Sequence, residues 1–364
     1  MKKIKVFHIL PDLGTGGAEK LALDICTFLN KDEFDTTLIS LYPSKNSIYE
    51  QIADENDLNI IFLNKHKGLD YKILINLNKL FREQKPDIVH THLYVAPYVL
   101  PAMIINNING RVHTVHNIAS MELGNFKKKI MKIAYQFFKV TPVAISDYIK
   151  KTIEIEYHIN TNKIPCIYNG IDTNKFTRSS RKNEKVTTFV HVGRFSKQKN
   201  HKLLIESFAL SLTKNPNMVL KLIGDGPLKQ EIINMIAALG VEDKVILKGI
   251  QKDVRFELNS SDAFILSSDW EGLPISVLEA MSCGLPIIST KSGGTPDIVK
   301  DGENGILVNL GDKEGLAKAI NELSSDYQLR KKMGDNSYIY SKQYDIQQVC
   351  EQYSLLYKGI LGQD

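Results

Sequence analysis

The sequence predicts an α/β protein of two domains, each built on a parallel sheet that helices cover on both faces. The chain has 364 residues, which is the length of two ordinary domains. Twelve short runs rich in Val, Ile and Leu alternate with amphipathic stretches, as expected for strands buried on both faces. Each half opens with such a run, which leads into a glycine-containing turn and then a helical pattern.

The runs fall into two series of six. The first series is IKVFHIL, TTLISL, NIIFL, DIVHTH, RVHTV and TPVAI, and the second is VTTFVHV, MVLKLI, KVILK, DAFILS, PIIST and GILV. The polar segment Thr173–Lys185 lies between them and has the composition of a linker. We therefore expect a first domain over residues 1–177 and a second over 186–343. Apolar residues with helical spacing over 344–364 predict a terminal helix that packs back on the first domain.

Composition excludes several classes of protein. A content of 43% hydrophobic residues and 30 aromatic residues is too apolar for a disordered chain. The four cysteines are scattered, so neither a disulfide framework nor a thiolate metal site is expected, and this usage is typical of a reducing, cytoplasmic compartment. No apolar run approaches the roughly 18 residues that a membrane-spanning helix requires.

The net charge of +5 lies in the first half, where residues 1–180 carry 23 Lys and Arg against 18 Asp and Glu. Residues 123–140 hold five lysines and no acidic residue. Residues 126–139 also have apolar side chains with helical spacing, which is typical of a helix that rests on an anionic membrane, here its inner face. The alternative is an ordinary helix with a buried apolar side and solvated lysines.

Gly16 and Gly17 belong to a GTGGAE loop between the first predicted strand and the first predicted helix. Unpaired amides at a helix N-terminus favour an anion, so this loop is a candidate phosphate site. Without such a ligand it is a tight strand-to-helix turn.

Arg194 and Lys199 lie in HVGRFSKQKN, just beyond the first strand of the second half. Open α/β sheets bind ligands at this end of their strands, and two cations on one loop suit a diphosphate. The alternative is a pair of exposed surface cations.

Glu271 and Glu279 lie eight positions apart in SDWEGLPISVLEAM. Pro274 fits the first turn of a helix, which puts Glu271 on the preceding loop and Glu279 inside the helix. The two acids are then about 12 Å apart at ~1.5 Å per residue, which does not suit the acid and base of a glycosidase. An ordinary amphipathic helix with an exposed acid is the alternative.

Taken together, the motifs GRFSKQKN, IGDGP, SDWEGLPISVLEAMSCGLPIIST, SGGTPDIV and DGENGILV resemble those of the retaining glycosyltransferases of family 4. In the first half, GTGGAE, PDIVHTH, HTVHN, AISDYIK and NGID are also similar to motifs of that family. The resemblance covers nearly the whole chain. It implies the GT-B fold, in which two Rossmann-like domains face each other across a cleft.

The resemblance also implies roles for single residues. Arg194 and Lys199 match the cations that hold the donor diphosphate, and Glu271 matches the acid that contacts the hydroxyls of the donor sugar. Catalytic roles are therefore expected for these three residues and for His116, which matches the histidine beside the donor sugar. A buried, hydrogen-bonded strand histidine is the alternative for His116. The remaining donor-binding candidates are Gly16 and Gly17 on the first-domain loop, Gly272 and Leu273 with their backbone amides, Glu279 on the ribose, and Gly224 and Ile250 near the base.

The chain contains no D-x-D triplet, so we expect neither a carboxylate-held metal ion nor a cofactor. The cations and backbone amides would stabilise the leaving diphosphate instead. The resemblance implies transfer of a sugar, with retention of anomeric configuration, from a nucleotide sugar to a glycan or polyprenyl-linked acceptor. A UDP-sugar is the favoured donor, and the expected setting is exopolysaccharide, capsule or O-antigen synthesis. No nucleic acid is expected as a partner. The alternatives are a sugar-nucleotide epimerase or hydrolase of the same architecture, or a non-catalytic nucleotide-sugar-binding subunit.

Overall fold

The computed structural model describes residues 2–66, 68, 70–179 and 186–363, and the chain divides into two compact units. The first unit comprises Met1–Gly170 and Ile346–Asp364, and the second comprises Ile171–Asp345. Each of the twelve runs predicted as strands coincides with a strand. The predicted class, two parallel α/β sheets flanked by helices, is therefore confirmed.

The first unit contains a six-stranded sheet in which all paired neighbours are parallel. Its strands are β1 (Ile4–Leu10), β2 (Phe34–Ser40), β3 (Asn59–Phe62), β4 (Ile88–His92), β5 (Gly110–Val115) and β6 (Thr141–Ala144). They lie in the order β3-β2-β1-β4-β5-β6, so the direction of winding changes between β1 and β4. Ligands of open α/β sheets bind beyond the strand ends at such a point.

Helices connect these strands and bury one apolar side each. They are α1 (Gly17–Phe28), α2 (Ile48–Glu55), α3 (Lys72–Gln84), α4 (Ala96–Ile105), α5 (Ala119–Glu122), α6 (Asn125–Phe137) and α7 (Asp147–Tyr157). Two of them have a serine N-cap: the side chains of Ser47 and Ser146 accept hydrogen bonds from the backbone N–H groups of Glu50 and Ile149, respectively.

The second unit repeats this topology. Its strands are β7 (Thr187–Val192), β8 (Met218–Ile223), β9 (Val245–Gly249), β10 (Ala263–Leu266), β11 (Ile287–Thr290) and β12 (Gly305–Val308), in the order β12-β11-β10-β7-β8-β9. Its helices are α8 (His201–Leu212), α9 (Lys229–Ala238), α10 (Arg255–Asn259), α11 (Ile275–Ser282), α12 (Thr295–Ile298), α13 (Lys313–Ser325) and α14 (Tyr327–Ser341). Apolar side chains from β7, β8 and β10 form one core with those of α8 and α13.

The boundary between the compact units differs from the predicted one. Residues 171–177, assigned from the sequence to the first domain, belong to the second unit. Ile171 donates its backbone N–H to the Tyr344 carbonyl at 2.9 Å, and the Phe176 carbonyl accepts a hydrogen bond of 2.6 Å from Ser282 Oγ. Phe176 is buried, so this part of the polar segment is packed rather than a linker. Residues 180–185 of the segment lie outside the described residues.

The last helix, α15 (Ile346–Leu361), belongs to the first unit and contacts α1 and β5. Its buried side chains recur every three or four residues and include Val349, Tyr353 and Tyr357. Both tyrosine side chains are fully buried. The end of the chain thus completes the core of the first unit.

Candidate active site

Sheet order in the second unit brings together two loops that are about 70 residues apart in the sequence. β7 and β10 are neighbours, so residues 194–200 after β7 lie beside residues 267–274 after β10. Asp269 donates its backbone N–H to the Gln198 carbonyl at 2.9 Å, and Ser267 Oγ donates to the Lys199 carbonyl at 2.8 Å. These hydrogen bonds fix two predicted site loops against each other.

Lys199 and Glu271 form an ion pair, with 2.6 Å between Nζ and Oε1. Ser268 Oγ donates to the same carboxylate oxygen at 2.5 Å, and Gln198 Nε2 donates to Oε2 at 3.3 Å. The side chain of Glu271 is only 6% exposed, so its charge requires this cation and these donors. The structure therefore brings together the predicted diphosphate ligand and the predicted sugar ligand. Both residues were predicted as ligands from the sequence, whereas their pairing and the contacts of Gln198 and Ser268 were not.

Gly293 is a further residue that the sequence analysis did not single out. It lies after β11, with φ of +54°, and a Cβ at this position would lie 1.7 Å from the Glu271 carbonyl oxygen. Its neighbour Gly294 donates its N–H to the Gly272 carbonyl at 3.0 Å. Glycine is needed at position 293 because backbone packs on backbone here, and its place after a strand end was the available signal.

Arg194 is exposed and forms no ion pair with any residue that the structure describes. It follows Gly193, whose carbonyl oxygen would be 2.1 Å from a Cβ at Gly224. Gly224 has φ of +135°, so glycine is required there by packing and by conformation. The structure thus gives Gly224 a role in holding the Arg194 loop, and a contact of Gly224 with the base stays a prediction.

Three of the other predicted donor ligands lie on α11 or directly before it. Pro274 precedes the helix as its N-cap rather than standing in its first turn, and Glu279 is the fifth helical residue, with 9% exposure. Gly272 and Leu273 are buried in the loop before the helix. Ile250 directly follows β9 and is 52% exposed. Contacts of these residues with a donor stay predictions.

In the first unit, Gly16 is the N-cap of α1 and Gly17 its first residue. The carboxylate of Glu19 lies against this loop, so close that a Cβ at Gly16 would be 2.3 Å from Glu19 Oε2. An acid at this helix end already interacts favourably with the helix dipole. A phosphate bound here would compete with that carboxylate.

His116 directly follows β5 and is hydrogen-bonded on both sides. Its Nε2 lies 2.9 Å from His92 Nδ1, and its backbone N–H donates to Glu122 Oε1 at 3.1 Å. Burial lowers the pKa of His116 to about 3 and raises the pKa of Glu122 to about 8. The imidazole is therefore neutral near pH 7, suited to exchanging hydrogen bonds with hydroxyl groups rather than to binding phosphate as a cation.

The amphipathic helix predicted over 126–139 is present as α6, but part of its apolar surface faces outward. Met131 and Ala134 are buried, whereas Phe126 and Phe137 are 76% and 74% exposed and Ile133 is 49% exposed. Lys128 pairs with Glu156 at 3.1 Å and is not a free surface cation. Among the described residues, no helix has the length and hydropathy needed to cross a bilayer.

Comparison with known proteins assigns the chain to a family. A family model described as "Glycosyltransferase Family 4" matches residues 15–175, and one described as "Glycosyl transferases group 1" matches residues 172–339. The chain belongs to glycosyltransferase family 4. Each of the two α/β units of this family 4 glycosyltransferase therefore contains a region that matches a family model. The resemblance to the family that the sequence motifs indicated is confirmed.

Several curated relatives resemble this family 4 glycosyltransferase over most of their length. The UDP-Gal:alpha-D-GlcNAc-diphosphoundecaprenol alpha-1,3-galactosyltransferase of Escherichia coli is 28% identical over 354 residues, covering 89% of each chain. The N-acetyl-alpha-D-glucosaminyl L-malate synthase of Bacillus anthracis is 26% identical, covering 88% of this chain and 87% of the relative. The capsular polysaccharide biosynthesis glycosyltransferase CapM of Staphylococcus aureus is 27% identical, covering 92% of each.

Solved structures confirm the GT-B fold of this glycosyltransferase. Anabaena Alr3699/HepE in complex with UDP and glucose has a TM-score of 0.85 at 21% identity, covering 98% of this chain and 100% of that chain. A glycosyltransferase of Rickettsia africae has a TM-score of 0.84 at 20% identity and full coverage of both chains.

Proposed function

We propose that this glycosyltransferase moves a sugar from a UDP-sugar to a polyprenyl-diphosphate-linked glycan, with retention of anomeric configuration, in the synthesis of a surface polysaccharide. The observation that carries the proposal is the Lys199–Glu271 pair, buried between two hydrogen-bonded loops at the carboxyl ends of β7 and β10. The relatives support the donor and acceptor classes, since the E. coli protein is named for UDP-Gal and a diphosphoundecaprenol-linked sugar and the S. aureus protein for capsule synthesis.

The charges of these loops suit a leaving diphosphate. Arg194 is exposed and free of ion pairs among the described residues, so its full charge is available to a phosphate. Lys199 shares its charge with Glu271, which keeps the ammonium group in place before substrate binds. With these cations and the amides at the start of α11, we propose that departure of the nucleotide does not require a divalent ion.

Glu271 is assigned to the hydroxyl groups of the donor sugar. Its carboxylate is held by three partners and so keeps a fixed position, which is what recognition of a hydroxyl pair requires. His116 is assigned the contact with the donor sugar that the family resemblance implies. In the proposed step the acceptor hydroxyl attacks the anomeric carbon on the face that the diphosphate leaves, and its proton passes to a departing phosphate oxygen.

Transfer assays test the proposal. Purified protein is incubated with UDP-galactose, UDP-glucose, UDP-N-acetylglucosamine or GDP-mannose, with and without a polyprenyl-diphosphate-linked N-acetylglucosamine, and the anomer of the product is read by NMR. We expect acceptor-dependent release of UDP, an α-linked product, and unchanged turnover in EDTA. Nucleotide release or a changed sugar without acceptor would favour the hydrolase or epimerase. Nucleotide-sugar binding without turnover would favour a non-catalytic subunit.

A second part of the proposal places α6 on an anionic membrane, which brings the lipid-linked acceptor to the enzyme. Phe126, Ile133 and Phe137 share one exposed side of the helix, with Lys129 among them. Apolar side chains flanked by lysine are typical of helices that lie in the lipid interface. We therefore assign the enzyme to the inner, cytoplasmic face of the membrane.

Flotation with liposomes that contain phosphatidylglycerol tests this placement. We expect the double variant Phe126→Ser and Phe137→Ser to lose most of the liposome-bound fraction. The matched control is Phe256→Ser, because Phe256 is equally exposed, at 75%, but belongs to α10 of the second unit. Equal flotation of the double variant and wild type would refute the placement.

A further inference from the structure

Four histidines and a tyrosine lie on one face of the first sheet. His90 and His92 alternate with Thr91 along β4 and therefore share a face, and His8 on β1 is in register with His90. α15 contributes the hydroxyl of Tyr357 to the same group. The side chains of His8, His90, His92 and Tyr357 are fully buried, and His116 is half-buried. The cluster ends at His116, the residue assigned to the donor sugar.

Hydrogen bonds connect these side chains in sequence. His116 Nε2 lies 2.9 Å from His92 Nδ1, and His92 Nε2 lies 3.0 Å from His8 Nδ1. The hydroxyl of Tyr357 lies 3.5 Å from His8 Nε2 and 2.7 Å from His90 Nδ1. His90 Nε2 in turn lies 2.7 Å from Thr114 Oγ1. The series runs from His116 to Thr114 across three neighbouring strands.

Each imidazole in the series carries a single proton. Burial lowers the pKa of His8 and His116 to about 3 and holds the pKa of His90 and His92 well below 6.5, so all four rings are neutral near pH 7. A neutral ring donates from one nitrogen and accepts at the other. Each hydrogen bond of the series needs one donor and one acceptor. A ring that accepts at one nitrogen therefore donates from the other, and all hydrogen bonds of the series run in the same direction from donor to acceptor.

Metal binding fits this cluster less well than hydrogen bonding. His8, His90 and His92 do bring nitrogen atoms within 4.8 Å of one another. The rings of His90 and His92 are stacked, however, with their centroids 4.2 Å apart and their planes at 28°. Stacked rings direct their in-plane lone pairs side by side rather than toward one ion, whose tetrahedral ligands surround it.

We propose that His116, His92, His8, Tyr357 and His90 form a tautomer relay, in which the Tyr357 hydroxyl on the C-terminal helix positions the proton of His116. This inference rests on the proposed contact of His116 with the donor sugar. The nitrogen left for that contact is His116 Nδ1, which has no hydrogen-bond partner among the described residues. Tyr357 is a positioning residue, since it acts through His8 and His92.

The relay has two states that contain the same protons. In the first, each histidine carries its proton on Nε2, Tyr357 donates to His90 Nδ1, and His116 Nδ1 accepts a hydrogen bond from a sugar hydroxyl. In the second, each proton is on Nδ1, Tyr357 donates to His8 Nε2, and His116 Nδ1 donates to the sugar. The five residues carry the same number of protons in both states, and all four rings stay uncharged.

Nitrogen NMR of protein with isotope-labelled histidine tests the relay directly, because long-range proton–nitrogen couplings distinguish the two tautomers. We expect His8, His90, His92 and His116 of the wild-type protein to share one tautomer, all Nε2–H or all Nδ1–H. A mixture of tautomers among the four would overturn the proposal. This measurement needs no substrate, so it stands or fails independently of the transfer assay.

Removal of the hydroxyl tests the role of Tyr357. We expect Tyr357→Phe to change the tautomer populations of His116 and to lower kcat/KM about tenfold, as loss of one oriented hydrogen bond predicts. The matched control is Tyr353→Phe, one turn earlier on α15 and equally buried, whose hydroxyl lies 3.4 Å from Thr114 Oγ1 at the far end of the series and is not placed between His116 and His90. We expect that variant to keep the wild-type His116 tautomer. An unchanged His116 signal in Tyr357→Phe, or equal loss of activity in both variants, would refute the positioning role.

Discussion

Gly293→Ala should disable transfer by moving Glu271. Gly293 has φ of +54°, and a Cβ there would lie 1.7 Å from the Glu271 carbonyl oxygen and 2.6 Å from its carbon. These are backbone atoms, so rotation of a side chain cannot relieve the overlap. The substitution therefore forces the two loops apart.

The size of the displacement follows from the distances. Real Cβ contacts are not found below 3.0 Å, so the Glu271 peptide and Gly293 have to separate by at least 1.3 Å. A misplacement of about 1 Å costs on the order of 100-fold in rate. An alanine in the left-handed region adds about 1–2 kcal/mol of strain, and overpacking adds about 1–3 kcal/mol.

Steady-state transfer kinetics and urea unfolding measure these two effects separately. Gly302→Ala is the matched control, because Gly302 has φ of +77° and no atom lies within 4 Å of its Cβ position. We expect Gly302→Ala to lose about 1 kcal/mol of stability at wild-type kcat/KM, and Gly293→Ala to lose about 100-fold in kcat/KM. A Gly293→Ala enzyme with wild-type kcat/KM would refute the reasoning.

Two further predictions concern buried charge. Lys199→Met leaves the Glu271 carboxylate without its cation and should lower the free energy of unfolding, measured in urea, by about 3 kcal/mol. This is the low end for a buried pair, because Lys199 is 15% exposed. Addition of Glu271→Gln should recover part of this loss, and strictly additive losses would contradict the pairing. The pKa of His8 falls from 6.5 to about 3 on folding, so between pH 6.5 and 3 the unfolded chain binds a proton that the folded chain does not. The free energy of unfolding therefore falls on acidification over this range, by up to about 1.4 kcal/mol per pH unit. His8→Asn should flatten that slope in urea unfolding at pH 7, 6 and 5, and an unchanged slope would argue against a neutral buried ring.

The strands could be predicted because each is a short apolar run bounded by polar turns. Strand order could not be read from those runs, and it is the order that places β7 beside β10. Lys199 and Glu271 were therefore recognised as two separate ligands, although they are 2.6 Å apart. Their pairing depends on register between segments that are 72 residues apart.

Side-chain orientations and long-range contacts could not be predicted from the sequence. The periodicity of α6 indicated an apolar side without showing which apolar residues face inward, and the structure buries Met131 and Ala134 rather than Phe126 or Phe137. His90 is a buried strand histidine whose hydrogen bond to Tyr357 spans 267 residues, and no local pattern predicts such a contact.

The position of α15 has a consequence for synthesis on the ribosome. The first unit emerges first, yet Tyr353 and Tyr357, which are fully buried in it, are translated after the whole of the second unit. Until they leave the exit tunnel, a nascent chain exposes the histidine face of its sheet to water. The first unit can thus complete its core only after the second unit has been synthesised.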